Sequence, residues 1–426
     1  MDQYITEDQY ITEKQYIVDE MKQLRKLLHA CPEISGEEYR TKRLLMDFLA
    51  DNTELELQSC GDGFYAAHRE RESKKPSVVL RADYDALALP EGGAAHLCGH
   101  DGHSAALCGL ALLLEGRQAG RDIFLLFQPA EETGAGAAGC TEIFTKEAVG
   151  EIYGAHNLPG VPFGQVTTRP GTFACASRGV TLILKGKATH AACPENGISP
   201  AKAVGHLLCE LPVIAAPQNY SGMTLCTVIG VQMGEKAFGA AAADAQVWLT
   251  LRGEHDTDLE KLYRNVIRRT GELAGEYRLE FTHTLQDVFP STENDEACAK
   301  KVLKVCGGTL LETPMRWSED FGHYLKRVPG AFFGIGSGTD HAPLHTESYE
   351  YPDDLLEPTV RAFWKLICSR LFINGFLLPP FAYIDPGGIT GIFFQFFDGQ
   401  FYGTVAASAG RKYRLKPFQT FIQIDH

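Results

Sequence analysis

The sequence predicts an α/β fold: a doubly wound, mainly parallel sheet interrupted by an inserted ferredoxin-like α+β domain. Three observations carry this. Short apolar or β-branched runs alternate with helical stretches between residues 77 and 156, the pattern of a sheet covered by helices. The run Ile123-Phe124-Leu125-Leu126-Phe127 is apolar at every position, as a parallel strand covered on both faces requires. After Pro170 the order becomes strand, helix, strand, strand, helix, strand, which is the split βαβ unit.

The chain opens with a six-residue repeat, Asp2-Gln3-Tyr4-Ile5-Thr6-Glu7 and its two successors. It is too short for a solenoid and reads as a lead-in to a helix at 17–28, where apolar residues recur at helical spacing. Pro32 to Gly36 breaks that helix, and a second is predicted over 37–49. Strands are predicted near 55–57, 63–68 and 78–80, a buried helix over 105–114, and strands over 123–127 and 151–156. In the inserted part, strands are expected at 179–185, 224–231, 245–251 and 277–283, with helices at 200–211 and 258–273. The first domain then resumes with a helix near 297–305, a strand at 331–334 and a helix near 355–367. The domains so defined are 19–173 with 285–370, the insertion 174–284, and a tail 371–426 of different composition.

With 426 residues, 44% hydrophobic and 22% charged, the chain has the composition of a globular protein of two or three domains. A net charge of -14 argues against nucleic acid as a partner. Twelve cysteines, spread from Cys31 to Cys368, suit reduced thiols in the cytoplasm better than a disulfide framework. The start lacks a basic segment followed by an apolar core, so no secretory signal is expected. The tail is rich in Phe, Gly and Pro and ends with Arg411, Lys412, Arg414 and Lys416. It reads as a β-rich appendage or as a weak membrane span at 389–410. Gln395, Asp398 and Gln400 interrupt that span and favour the appendage.

Chemistry concentrates in His96-Leu97-Cys98-Gly99-His100-Asp101-Gly102-His103. The segment lies between a strand and a helix, where α/β proteins build sites. In extended backbone Cys98 and His100 would point the same way, and thiolate with imidazole suits zinc and similar ions. The plainer alternative is a histidine-rich loop beside a buried cysteine. Glu131-Glu132, His156 and His345 also fall at strand ends or in adjacent loops. This donor set suits two metal ions that activate water against a carbonyl. If the Glu pair is extended, its two side chains face opposite ways. One carboxylate then binds metal while the other moves a proton.

Leu80-Arg81-Ala82-Asp83-Tyr84-Asp85-Ala86-Leu87, the 98–103 run and Phe127-Gln128-Pro129-Ala130-Glu131-Glu132 resemble the metal-dependent amidohydrolases of N-acyl amino acids, the hippurate hydrolase and indole-acetyl-amino-acid hydrolase type, related to aminoacylases and carboxypeptidase-like peptidases. The resemblance continues through 154–159, 186–192, 318–321 and 343–345, and covers roughly 22–368. It implies metal ligands at Cys98, His100, Glu132, His156 and His345, with Glu131 as general base and Asp85 as a supporting acid. It implies that His190 meets the substrate or the oxyanion across a dimer interface, and that Arg252 binds a substrate carboxylate. It further implies a catalytic domain with a lid and dimerisation domain, hence a homodimer. Two divalent ions are implied, manganese or zinc first, with cobalt or nickel as alternatives. The expected substrate is a small N-acyl amino acid or dipeptide-like molecule.

The sequence also departs from that pattern. Gly239 stands where the family has an asparagine, and Ala188-Thr189 precede His190 in place of smaller residues. The missing asparagine leaves open a non-catalytic homologue that binds metal and a small molecule. The tail lies outside the resemblance. Its Tyr383-Ile384-Asp385-Pro386-Gly387-Gly388 looks like a small bacterial membrane-protein motif and hints at a fusion that would bring membrane contact.

Overall fold

A computed structural model describes residues 7–71, 73, 75–367, 389–397, 400–407 and 412–414. The chain divides into two units, Met1–Ser369 and Arg370–His426.

The first unit is built on an eight-stranded, mainly parallel sheet. At its centre Ser77–Asp83 runs parallel to Ile123–Gln128 on one side and to Val149–Pro159 on the other. Gly330–Gly338 lies parallel to Val149–Pro159 in turn. Every residue of Ser77–Asp83 and Ile123–Gln128 is buried, as strands covered on both faces must be. Helices Glu7–His29, His100–Leu114, Glu296–Cys306 and Leu356–Ile367 contribute to one apolar core. Phe124, Leu126, Phe173, Phe321 and Phe332 form another. Because the four central strands are parallel, their carboxyl ends share one edge, and the segments carrying Cys98, His100, Glu131, Glu132, His156 and His345 gather there.

Two expectations about local structure change here. The first helix begins at Glu7, so part of the repeat lies inside the helix rather than ahead of it. The buried helix starts at His100, not Ala105. Cys98 and His100 are therefore not on extended backbone. Gly99 between them has φ 101°, a left-handed conformation that glycine adopts without strain. A Cβ at Gly99 would stand 2.5 Å from the Asn157 side-chain oxygen, so the turn also admits no larger residue.

The second layer of this unit is a four-stranded antiparallel sheet in the spatial order Thr224–Met233, Asp244–Gly253, Ala176–Lys185, Glu280–Phe289. Helices Ala201–Ile214 and Asp256–Glu276 cover one face, with Leu207, Leu211, Leu259, Leu262 and Val266 in a core of their own. Burial alternates strictly through Asp244–Leu249, the signature of a sheet with one covered face.

The second unit contains Ile389–Phe397 and Gln400–Ala407, paired antiparallel, with Lys412–Arg414 beside them. The segment weighed as a membrane span is thus two strands rather than one apolar helix. Among the described residues no helix is long and apolar enough to cross a membrane. The Tyr383–Gly388 motif and the first copy of the repeat lie outside the described residues.

Candidate metal centre

The shared carboxyl edge of the parallel strands gathers the donors. Cys98 Sγ lies 3.3 Å from His156 Nε2 and 3.4 Å from His345 Nε2. His100 Nε2 stands 3.7 Å from Glu132 Oε1 and 4.0 Å from Glu131 Oε2. His345 Nε2 also lies 3.7 Å from Glu132 Oε1. Each of three overlapping groups, Cys98/His100/His156, Cys98/Glu132/His345 and His100/Glu131/Glu132, has ligand atoms within 4.8 Å of one another.

Backbone at the edge is strained where it must turn. Ala130 has φ 51° and His345 φ 62°, values that cost a residue with a side chain about 1–3 kcal/mol. Ala130 is held by its N–H donating to Glu38 at 2.8 Å, and His345 by its N–H donating to Leu97 O at 2.8 Å. The turn after Ala130 overturns one expectation. Glu131 and Glu132 are not on extended backbone facing opposite ways. Both carboxylates approach the same His100 nitrogen.

A supporting ring fixes these side chains. Asp85 lies 3.0 Å from His100 Nδ1, accepts from the Ser35 hydroxyl at 2.6 Å, and accepts from the Glu132 N–H at 3.0 Å. His156 Nδ1 lies 2.8 Å from Asn157 O, so its Nε2 is the nitrogen turned toward Cys98. No site role was assigned from sequence to Asp83, His103, Asn157 or Trp317. Asp83 is 2.6 Å from His103 Nδ1, and Asn157 Oδ1 is 2.6 Å from His103 Nε2. The alternation Asp83-Tyr84-Asp85 after a strand was the available signal, since both acids leave on one face.

Charge balance is uneven. Arg81 donates to Asp83, Glu319 and Asp320 at 2.7, 3.0 and 3.0 Å. Asp85, Glu131 and Glu132 have no lysine or arginine partner among the described residues. Burial, with Glu319 and Asp320 nearby, pushes the Glu131 carboxyl well above its usual range. Burial likewise raises Glu132 to about 7, although His100 opposes it. Burial and the Glu132 and Glu131 carboxylates push the Cys98 thiol far up. Burial, joined by His103, holds His156 well below its ordinary value.

His100 Nε2 and Glu132 Oε1 are both buried without a hydrogen-bond partner. Unpaired buried polar atoms are costly, and these two face each other across 3.7 Å. Thiol, imidazoles and carboxylates with orphaned lone pairs form a set that fits divalent cations.

Residues 79–369 match the family described as Peptidase family M20/M25/M40. The chain belongs to this family. It is a metal-dependent amidohydrolase, as that family's members are. An N-acetyl-L-cysteine deacetylase of Bacillus subtilis is 29% identical over 335 residues, covering 75% of this chain and 80% of the relative. An Arabidopsis thaliana protein, IAA-amino acid hydrolase ILR1-like 2, is 27% identical over 366 residues, covering 79% and 82%. The crystal structure of a Bacillus subtilis protein described as a dinuclear metal-binding peptidase superposes with TM-score 0.69 at 24% identity, covering 83% of this chain and 98% of the other. These relatives are hydrolases, which favours the enzyme over the non-catalytic binder.

Two residues named from sequence stand away from the donor cluster. His190 is exposed on Thr189–His190, which pairs with Ala240–Ala241, and its Nδ1 accepts the Ala192 N–H at 3.1 Å. Arg252 Nη1 donates to Arg316 O at 3.1 Å and to the Ser318 hydroxyl at 2.8 Å.

Proposed function

We propose that this protein hydrolyses the amide bond of N-acyl amino acids or small dipeptide-like substrates. The observation that carries the reading is the orphaned, buried His100 Nε2 and Glu132 Oε1 beside the Glu131 carboxylate, which has no lysine or arginine partner among the described residues. Cys98, His100, Glu132, His156 and His345 would hold two divalent ions, manganese or zinc, with cobalt or nickel as alternatives. When bound, the ions supply Lewis acidity to water and to the scissile carbonyl.

The residues of the chain do the rest. Glu131 accepts the proton of the attacking water and returns it to the leaving amine, a role its buried carboxylate can fill from beside the donor cluster. Asp85, against His100 Nδ1, fixes which imidazole nitrogen faces the ions. Arg252 takes the substrate carboxylate, and His190 stabilises the developing oxyanion.

The domain assignment belongs to the same proposal. Residues 19–173 and 285–370 form the catalytic domain, 174–284 a ferredoxin-like lid and dimerisation domain, and 371–426 a tail without an assigned role. A homodimer through the inserted domain is supported by its outermost strand, where Val228, Ile229, Val231 and Met233 are exposed. Apolar edge strands invite pairing. The described cysteines are free thiols, which favours the cytoplasm.

The test is a panel of N-acyl amino acids on metal-loaded protein. Turnover abolished by chelation and restored by one of the named metals is expected. Metal uptake without turnover of any substrate would remove the proposal.

A further inference from the structure

Trp317 is unexpected at this site. Its indole lies 5.4 Å from the His156 imidazole, centroid to centroid, with the planes tilted by 43°. The edge of Phe173 backs it at 5.9 Å. The residue is only partly buried, so it packs against the core without being closed over by it. The backbone on both sides of it is tied down. The Cys175 N–H donates to Met315 O and Trp317 O, each at 3.1 Å. Arg252, from the four-stranded sheet, bonds Arg316 O and the Ser318 hydroxyl, the two positions flanking the tryptophan. Three residues further on, the Asp320 N–H reaches Glu131 Oε1 at 3.4 Å. Trp317 therefore spans the gap between the lid arginine and the metal donors. Neither Arg252 nor Arg316 has a carboxylate partner among the described residues, so an anion can be accepted at that end.

An N-acyl amino acid has the two ends that this placement requires. Its carboxylate and its scissile amide are joined through a single carbon, Cα. With the carboxylate at Arg252 and the amide at the metal donors, Cα and its side chain lie against whatever fills the gap. We propose that Trp317 is the wall against which the side chain of the amino-acid half of the substrate packs. It selects amino acids with flat or bulky apolar side chains, through dispersion and ring stacking, and is indifferent to the acyl half. This rests on the hydrolase reading above.

The test compares wild type, Trp317→Ala and Trp317→Phe on N-acetylphenylalanine, N-acetylleucine, N-acetylglycine and benzoylglycine, with metal content measured for each protein. For Trp317→Ala, kcat/KM should fall about tenfold or more on N-acetylphenylalanine. It should change little on the two glycine substrates, and Trp317→Phe should restore most of the loss. An equal loss on all four substrates would mean that the ring only supports His156, and a loss confined to benzoylglycine would place it on the acyl half. Either result overturns the proposal. A second readout needs no turnover. In a Glu131→Gln background, titration with N-acetylphenylalanine should change tryptophan fluorescence, and the change should vanish with Trp317→Phe although Trp248 and Trp364 remain. A wild-type protein that holds metal and cleaves none of the four would instead remove the underlying hydrolase reading.

Discussion

The two sheets of the first unit handle their side chains in opposite ways. The parallel sheet buries both faces and gathers Asp83, Asp85, Glu131, Glu132 and His156 at one edge, all but Glu132 buried, with the half-exposed His345 at the rim. The antiparallel sheet buries one face under two helices and leaves the other exposed, with apolar residues open on both edge strands, Val228 to Met233 on one and Leu285 and Val288 on the other. Arg252 on this sheet, and His190 on the separate two-stranded pair Thr189–His190 with Ala240–Ala241, stand away from the donor cluster. The difference teaches where rigidity is needed. Groups that hold ions and move protons must keep their geometry and exclude water. Groups that admit a substrate can sit on a layer that shifts or meets a second chain.

Mutations can break or sharpen that contrast. The largest effect is expected inside the parallel-sheet edge. Glu131→Gln should lower kcat by about 10²–10⁴-fold while metal content, measured by elemental analysis, stays unchanged. A near-normal rate would show that another group moves the proton. Removing support rather than chemistry should cost less: Asp85→Asn should weaken metal affinity by about 10–100-fold, read by competition with a chelator. Gly99→Ala tests the turn. With φ 101° and a Cβ 2.5 Å from Asn157, it should lower stability by about 1–3 kcal/mol and deplete metal, seen as a fall in Tm that added metal only partly reverses.

On the antiparallel sheet the same scale of perturbation should leave the metal alone. Ile229→Lys, at a position 61% exposed, should change stability by less than about 0.5 kcal/mol and, if the proposed dimer forms through this edge, give a monomer in sedimentation where the wild type is a dimer. Unchanged metal content with lost turnover would mean that the partner completes the site. An unchanged mass would locate the dimer contact elsewhere or remove it. The smallest effect is expected for a chain ending at Ser369, the boundary of the first unit, whose turnover should stay within about twofold of the full chain's.

Much of this was legible in the chain itself. Apolar continuity identified the buried strands, because a residue covered on both faces has no use for polarity, and the observed strand Ile123–Gln128 exceeds the predicted run by one residue. Residue chemistry pointed to Cys98, His100, Glu131, Glu132, His156 and His345 as candidate donors, and the structure brings them together in overlapping groups. Orientation was not legible. Cys98 with His100, and Glu131 with Glu132, were read as extended pairs, and both readings failed on a single backbone angle: the left-handed turn at Gly99 and the strained one at Ala130. Trp317 and Asn157 were missed because nothing in their neighbours along the chain distinguishes them, whereas Asp83 had its signal in the alternation with Asp85.

The sequence alone determined which groups are available and which end of each strand they leave from, because periodicity and composition are local properties. Only the tertiary structure decided that His345 meets Cys98 across 247 positions, that one arginine serves three acids, and that an indole stands beside His156. Those facts depend on the order in which strands stack. That order is set by the burial of the whole sheet rather than by any segment of it.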